Sequence, residues 1–296
     1  MRRVKIFSKI GDYMSLVKFA HTIFAMPFAL IGYSWALTGG GGTFSWKITL
    51  LILGAMVSAR NSAMGFNRIV DREIDALNKR TAKREIPSGK ISVMEASIFV
   101  VANILIFLLI AWHINRLAFI LSFPALSLLL GYSYMKRISY FSHYLLGVVL
   151  AIAPMGAFIA VCGRFDLPMV ILSFIVLFWV GGFDIIYSLA DVEFDKEHLL
   201  HSIPGKFGIK KGLIISSITH LVVVLLLILF PLVVNSRAPL LGVLYTIGAT
   251  LFISLLWWQH KIVSGGNLSR IDAAFFTANG VASILYALFT ILDLAL

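Results

Sequence analysis

The chain has 14 carboxylates, and eight of them fall in two short windows: Asp71, Glu73 and Asp75, then Asp184, Asp191, Glu193, Asp195 and Glu197. In each window a polar residue precedes two Asp residues at the same step. The first reads Asn67-x₃-Asp71-x₃-Asp75. The second reads Tyr187-x₃-Asp191-x₃-Asp195, with Asp184 one turn earlier. Residues four apart share a helical face, so each window is expected to raise a column of oxygen ligands at the end of a helix. Like charges stacked in this way repel unless a cation neutralises them. An all-oxygen ligand set favours a hard ion, Mg²⁺ or Ca²⁺, and Mg²⁺ commonly joins one or two carboxylates to substrate phosphates. The expected metal ligands are Asn67, Asp71, Asp75, Asp191 and Asp195, with a diphosphate held between the two columns. Ordinary loop charge is the plainer explanation of any single acid near a membrane. Two clusters with the same spacing, each at a helix end, favour a site.

Cations accompany the acids. Lys79, Arg80 and Arg84 follow the first cluster and are suited to clamping phosphate oxygens. A bias of basic residues toward the cytoplasmic side would also put them there, and the two readings carry equal weight. The same ambiguity holds for Lys136 and Arg137. Arg60 lies seven residues before Asn67, so two helical turns return it to nearly the same face, deeper in the membrane. A buried Arg is expensive unless paired. Arg60 is therefore expected either to face a cavity and receive a substrate carboxylate or to tie two helices together. Asn61, Lys18 and His21 are candidates to line the same cavity, although a lone His in a membrane helix more commonly packs or hydrogen-bonds.

The elements that must hold these groups are membrane helices. The 296 residues are 59% hydrophobic and 13% charged, with a mean hydropathy of +0.94, against about 25% charged in a soluble domain. No polar stretch is long enough for a separate soluble domain, so residues 1–296 are expected to form one all-α polytopic unit. The net charge of +11 is explained by basic loops on one membrane face, without nucleic acid. The single cysteine, Cys162, excludes an intrachain disulfide or a cysteine zinc site and is expected to pack among small neighbours. Residues 1–19 lack the apolar core of a secretory signal and are expected to form a basic amphipathic arm on the cytoplasmic membrane surface.

A helix needs about 20 apolar residues to cross a bilayer. Nine segments qualify, at roughly 20–38, 46–69, 93–112, 116–134, 142–162, 168–189, 212–234, 238–259 and 271–292. With these boundaries 19 Lys and Arg fall on the side of the N-terminus and 4 on the other, which predicts a cytoplasmic N-terminus and cytoplasmic loops at about 70–92 and 190–211. Both acidic clusters then lie on the cytoplasmic side. Pro87-Ser88-Gly89 signals a turn, and Ser92 with Glu95 forms a capping-box pattern that starts the third helix. The Gly39–Gly42 run, with no Lys following directly as in a phosphate loop, is expected to be a simple turn.

At these residues the sequence resembles the UbiA superfamily of intramembrane prenyltransferases. Asn67-Arg-Ile-Val-Asp71-Arg-Glu-Ile-Asp75 is similar to the family's NxxxDxxxD motif and continues into Asn78-Lys79-Arg80-Thr81, Arg84 and Pro87-Ser88-Gly89. Asp184-Ile-Ile-Tyr187-Ser-Leu-Ala-Asp191-Val-Glu-Phe-Asp195 is similar to DxxYxxxDxxxD, and Tyr132-Ser-Tyr134-Met-Lys136-Arg137 to the YxxxKR end of the fourth helix. The resemblance spans most of the chain. It implies nine transmembrane helices around a central cavity, in a membrane such as the bacterial cytoplasmic membrane. It also implies a polyprenyl diphosphate bound through Mg²⁺ to both Asp motifs, ionisation to an allylic cation, and attack by the ring of a hydroxylated aromatic acid. Asp71, Asp75, Asp184, Asp191 and Asp195 would be catalytic, and Asn67, Arg60, Lys79, Arg80, Arg84, Lys136, Arg137, Tyr187, Lys18 and His21 would bind substrate. The first helix departs from the 4-hydroxybenzoate enzymes: Lys18-Phe-Ala-His21-Thr-Ile-Phe-Ala-Met-Pro27-Phe replaces an Arg with a Lys-Pro-Ile-Gly pattern. This leaves two acceptors, 4-hydroxybenzoate for ubiquinone, or a dihydroxynaphthoate of the futalosine route to menaquinone. A transporter would place its ionisable site nearer the bilayer midplane. The DGxxAR core of a CDP-alcohol phosphatidyltransferase is absent, and the Lys79-Arg80-Thr81 context disfavours haem or homogentisate prenylation.

Overall fold

The computed structural model describes residues 9, 11–17, 24–238, 240–264 and 268–296. Every regular element among the described residues is helical. The chain divides into two compact units, 1–22 with 49–134 and 23–48 with 135–296.

The first unit holds most of α2 (Trp46–Val70), then α3 (Arg72–Leu77), α4 (Val93–Ile114), α5 (Arg116–Gly131) and a 3₁₀ turn at Tyr132–Tyr134. The capping box starts α4 as expected. The Ser92 hydroxyl accepts from the Glu95 amide at 3.2 Å, and the Glu95 carboxylate accepts from the Ser92 amide at 2.8 Å. Together they satisfy two donors that a helix start leaves open. The preceding turn needs Gly89 at φ +74°, a conformation that penalises a Cβ. Asn61 on α2 donates to Asn103 on α4 at 3.0 Å, a polar tie typical of helices packed in lipid. The Asn61 amide is thus engaged between two helices of this unit. The described part of the N-terminal arm packs on the first unit. Leu16 is fully buried with Ile86, Ile91 and Ala96, and Lys9 pairs with Glu95 at 2.6 Å.

The second unit comprises α1 (Met26–Thr38), α6 (Met135–Ile138), α7 (Ser142–Cys162), α8 (Leu167–Ser188), a 3₁₀ turn at Leu189–Asp191, α9 (Val192–Glu197), α10 (Ile203–Asn235), α11 (Val243–Ile262), a π turn at Ala273–Thr277 and α12 (Ala278–Ala295). The helix α8 is its axis: Trp179, Val180 and Phe183 are buried among Phe28, Phe252 and Tyr286. A chain of polar side chains runs through this core. Trp179 donates to Asn279 at 2.9 Å, and Asn279 donates to Gln259 at 3.1 Å. At the start of α8, buried Asp166 accepts from Trp35 Nε1 at 2.8 Å and pairs with Arg237. Gly32 is where α1 meets α7, since a Cβ there would lie 2.2 Å from the Pro154 carbonyl oxygen. Cys162 packs with its thiol near the Ala36 and Gly40 carbonyls.

Seven helices among the described residues are long and apolar enough to cross a membrane: Trp46–Val70, Val93–Ile114, Arg116–Ile138, Ser142–Cys162, Leu167–Glu197, Ile203–Asn235 and Ala273–Ala295. Of the other two expected spans, 20–38 is described as a helix from Met26 onward, and 238–259 corresponds to the 20-residue α11. The expected start near 212 is corrected for α10, which begins at Ile203 and bends at Gly208, where φ is +83° and ψ is 166°.

Candidate functional site

An unbroken helical column was expected at each acidic cluster. Both clusters instead break at their middle Asp. Asp71 (φ −90°, ψ 4°) separates α2 from the six-residue α3, and Asp191 (φ −112°, ψ 9°) separates the 3₁₀ turn from the six-residue α9. Asp is poor in a helix interior and favoured where a helix begins. Neither Asp side chain caps its new helix. The four-residue hydrogen-bond step survives the first break: the Asp71 amide donates to the Asn67 carbonyl at 2.9 Å and the Asp75 amide to the Asp71 carbonyl at 2.7 Å. Asn67 Nδ2 donates to Asp71 Oδ2 at 2.8 Å, so the first two polar groups of this motif do share a face.

The last Asp of each cluster is the deepest. Asp75 is 5% exposed and Asp195 is 2% exposed, while Glu73 and Glu193 between them and the middle Asp are exposed. Arg84 donates to Asp75 Oδ1 at 2.6 Å. Asp195 accepts a hydrogen bond from the Ser202 side chain and feels the Lys136 charge. The second oxygen, Oδ2, is buried without a hydrogen-bond partner in both residues. A buried carboxylate oxygen with no donor is costly, and a divalent cation would satisfy it. No three His, Cys, Asp or Glu side chains converge as a complete ligand shell among the described residues. Mg²⁺ needs few protein ligands, because it keeps waters and completes its shell with substrate phosphate. Within the first unit Asn67, Asp71 and Asp75 could hold such an ion, and within the second Asp191 and Asp195 could. Each last Asp is also fixed through its main chain: Thr81 Oγ1 donates to the Asp75 carbonyl at 3.0 Å, and the Leu200 amide to the Asp195 carbonyl at 2.8 Å.

The remaining candidates lie as follows. Lys79 and Arg80 are exposed in the loop after α3. Arg84 is turned onto Asp75. Arg60 is half-buried on α2, with its guanidinium 3.5 Å from the Val17 carbonyl. Lys136 and Arg137 are half-buried on α6, and the Lys136 carbonyl accepts from the His201 amide at 2.6 Å. Tyr187 stacks on Phe275 with ring centroids 4.1 Å apart. Lys18 and His21 lie outside the described residues. Two residues escaped the sequence reading. Arg68, 4% exposed, donates to Asn67 Oδ1 at 3.4 Å; as an Arg inside a membrane helix it carried a signal. His143, fully buried, lies 2.7 Å from Asp184; nothing in its spacing marked it.

Comparison with known proteins fits this geometry. The chain is 26% identical to the 4-hydroxybenzoate octaprenyltransferase of Aliivibrio fischeri (strain MJ11), over 85% of this chain and 86% of that one. It is 29% identical to the enzyme of the same name from Yersinia enterocolitica, with the same coverage. Among solved structures, a UbiA homolog from Aeropyrum pernix K1 in its apo form superposes with a TM-score of 0.82 at 31% identity, covering 92% of this chain and 98% of that one. A UbiA homolog from Archaeoglobus fulgidus bound to GPP and Mg²⁺ shares the fold, with a TM-score of 0.75 at 19% identity, over 96% of this chain and all of that one. The model of the UbiA prenyltransferase family matches residues 25–281, a span that takes in both broken acidic helices. The chain therefore belongs to the UbiA prenyltransferase family.

Proposed function

We propose that this membrane enzyme transfers a polyprenyl group from a polyprenyl diphosphate to the ring of 4-hydroxybenzoate, with Mg²⁺, in ubiquinone biosynthesis. The observation that carries the reading is the matched pair of buried, unpartnered oxygens, Asp75 Oδ2 and Asp195 Oδ2, at the same position of two acidic motifs. The names of the curated relatives and the GPP and Mg²⁺ bound by the Archaeoglobus fulgidus homolog support the donor, the acceptor and the ion. In this reading nine helices span the membrane, and both clusters lie on the cytoplasmic side of a bacterial inner membrane.

The chain's own groups divide the work. In the first unit Asn67, Asp71 and Asp75 would hold the metal, and in the second Asp191 and Asp195 would, with Asp184 taking part beside them. Mg²⁺, when bound, supplies the positive charge that stabilises the departing diphosphate. Lys79, Arg80, Lys136 and Arg137 bind diphosphate oxygens, and Arg84 sets the charge at Asp75. The aromatic face of Tyr187 favours a nearby allylic cation, and the apolar surroundings keep water from it. Arg60, with Lys18 and His21, receives the aromatic acid and orients its ring carbon beside the hydroxyl for attack.

The second acceptor to be weighed is a dihydroxynaphthoate of menaquinone biosynthesis, favoured by the Lys18–Phe28 sequence. The test is purified protein with Mg²⁺, a polyprenyl diphosphate and each acid side by side, with products identified by mass. Prenylated 4-hydroxybenzoate is expected. Prenylated naphthoate alone moves the acceptor, while movement of a solute across vesicles without any prenyl transfer would make the protein a transporter.

A further inference from the structure

His143 joins three elements of the second unit at one imidazole. It is fully buried on α7. Its Nδ1 lies 2.7 Å from Asp184 Oδ2 on α8, and its Nε2 accepts from the Ile203 amide, at the start of α10, at 3.3 Å. A backbone N–H only donates, so Nε2 presents its lone pair there and Nδ1 carries the proton. The ring is thus a directed link, taking a hydrogen bond from α10 and giving one to the carboxylate. We propose that His143 is a positioning residue for Asp184. It fixes one carboxylate oxygen, and so the plane of the group, and leaves Oδ1 to act on the metal–diphosphate complex. This deepens the prenyl-transfer reading and rests on it.

The link has a second consequence. Ile203 follows the loop that anchors Asp195, since Ser202 accepts from the Gly205 amide and Leu200 donates to the Asp195 carbonyl. One imidazole therefore sets the first acid of the motif and holds the chain segment that fixes the last. A space-filling role would need only the ring's volume. A positioning role needs a donor on the Asp184 edge.

Three substitutions separate these roles. His143→Asn places an amide N–H where Nδ1 was and keeps the donor to Asp184. His143→Gln places its amide where Nε2 was, keeps an acceptor for Ile203 and withdraws that donor. His143→Leu withdraws both. With Mg²⁺, a polyprenyl diphosphate and the aromatic acid, His143→Asn is expected to stay within about threefold of wild type in kcat/KM. His143→Gln is expected to lose about tenfold or more, as loss of a hydrogen-bonded supporting group does, with a melting temperature within about 2 °C of His143→Asn. His143→Leu is expected to lose both activity and melting temperature. In an Asp184→Asn background His143→Gln should cost nothing further. Equal activity of His143→Asn and His143→Gln, or losses that simply track melting temperature, would overturn the proposal. So would a fully active Asp184→Ala. Wild-type protein that transfers to neither acid would instead sink the reading beneath it.

Discussion

The two acidic motifs are built alike and neutralised differently. Each breaks its helix at the middle Asp, turns its Glu outward and buries its last Asp with one oxygen unpartnered. In the first unit Arg84 sits on the other oxygen of Asp75 at 2.6 Å. In the second, Asp195 has a hydroxyl and a half-buried lysine nearby. A guanidinium at contact distance competes with a metal ion for the same negative charge, whereas a hydroxyl does not. A metal ion at Asp75 should therefore depend on the diphosphate to complete its site.

The likeness is tested by the largest effect. Asp71→Ala and Asp191→Ala should each lower transfer by at least about 10²-fold while the protein stays monodisperse and helical in detergent. Chelation should do the same to wild type, reversed by added Mg²⁺. Near-normal activity in either variant would break the symmetry between the motifs. The difference is tested next. Arg84→Ala strands the buried Asp75 carboxylate and should cost about 3 kcal/mol of stability, seen as a lower melting temperature that Mg²⁺ partly restores. Lys136→Ala should cost less, because Asp195 also has the Ser202 hydroxyl beside it. Equal losses would put the two motifs on the same footing.

Smaller effects probe the groups around them. Arg60→Ala should raise the KM of the aromatic acid by about tenfold with kcat little changed, since a lost hydrogen bond to a charged group is worth about 1.5–3 kcal/mol. An unchanged KM would return Arg60 to a role in packing, such as its contact with the Val17 carbonyl. Glu73→Ala and Glu193→Ala should shift stability by no more than about 0.5 kcal/mol and leave transfer near wild type, because both side chains point away from the buried acids. A large loss in either would mean that the outward Glu shares in metal binding.

Much of the scaffold was legible because its signals are local. Runs of apolar residues marked the membrane helices, and Ser92 with Glu95 marked the start of α4. The Asp spacing marked the site, and in the first motif the four-residue step is kept in the hydrogen bonds even where the helix breaks. The break itself was hidden for the same reason: a residue near φ −90°, ψ 0° preserves the step and leaves no trace in sequence. The early start of α10 was missed because residues 203–211 carry Lys206, Lys210 and Lys211 and Gly208 interrupts the pattern. The pairings of Arg84 with Asp75, Asn61 with Asn103 and His143 with Asp184 are tertiary, and single-sequence periodicity says nothing about partners 9, 42 or 41 residues away.

The helices α3 and α9 are each six residues long, well below the length at which a helix persists by itself in water. Their last acids are held instead by Thr81 and Leu200, in the loops that follow. Each loop and its short helix should then open as one cooperative segment, separate from the membrane span before it. Amide hydrogen exchange at Asp75 and Asp195 should follow the opening of residues 78–92 and 198–202 rather than that of α2 and α8, and a protease cut in either loop should release the adjacent carboxylate from its register.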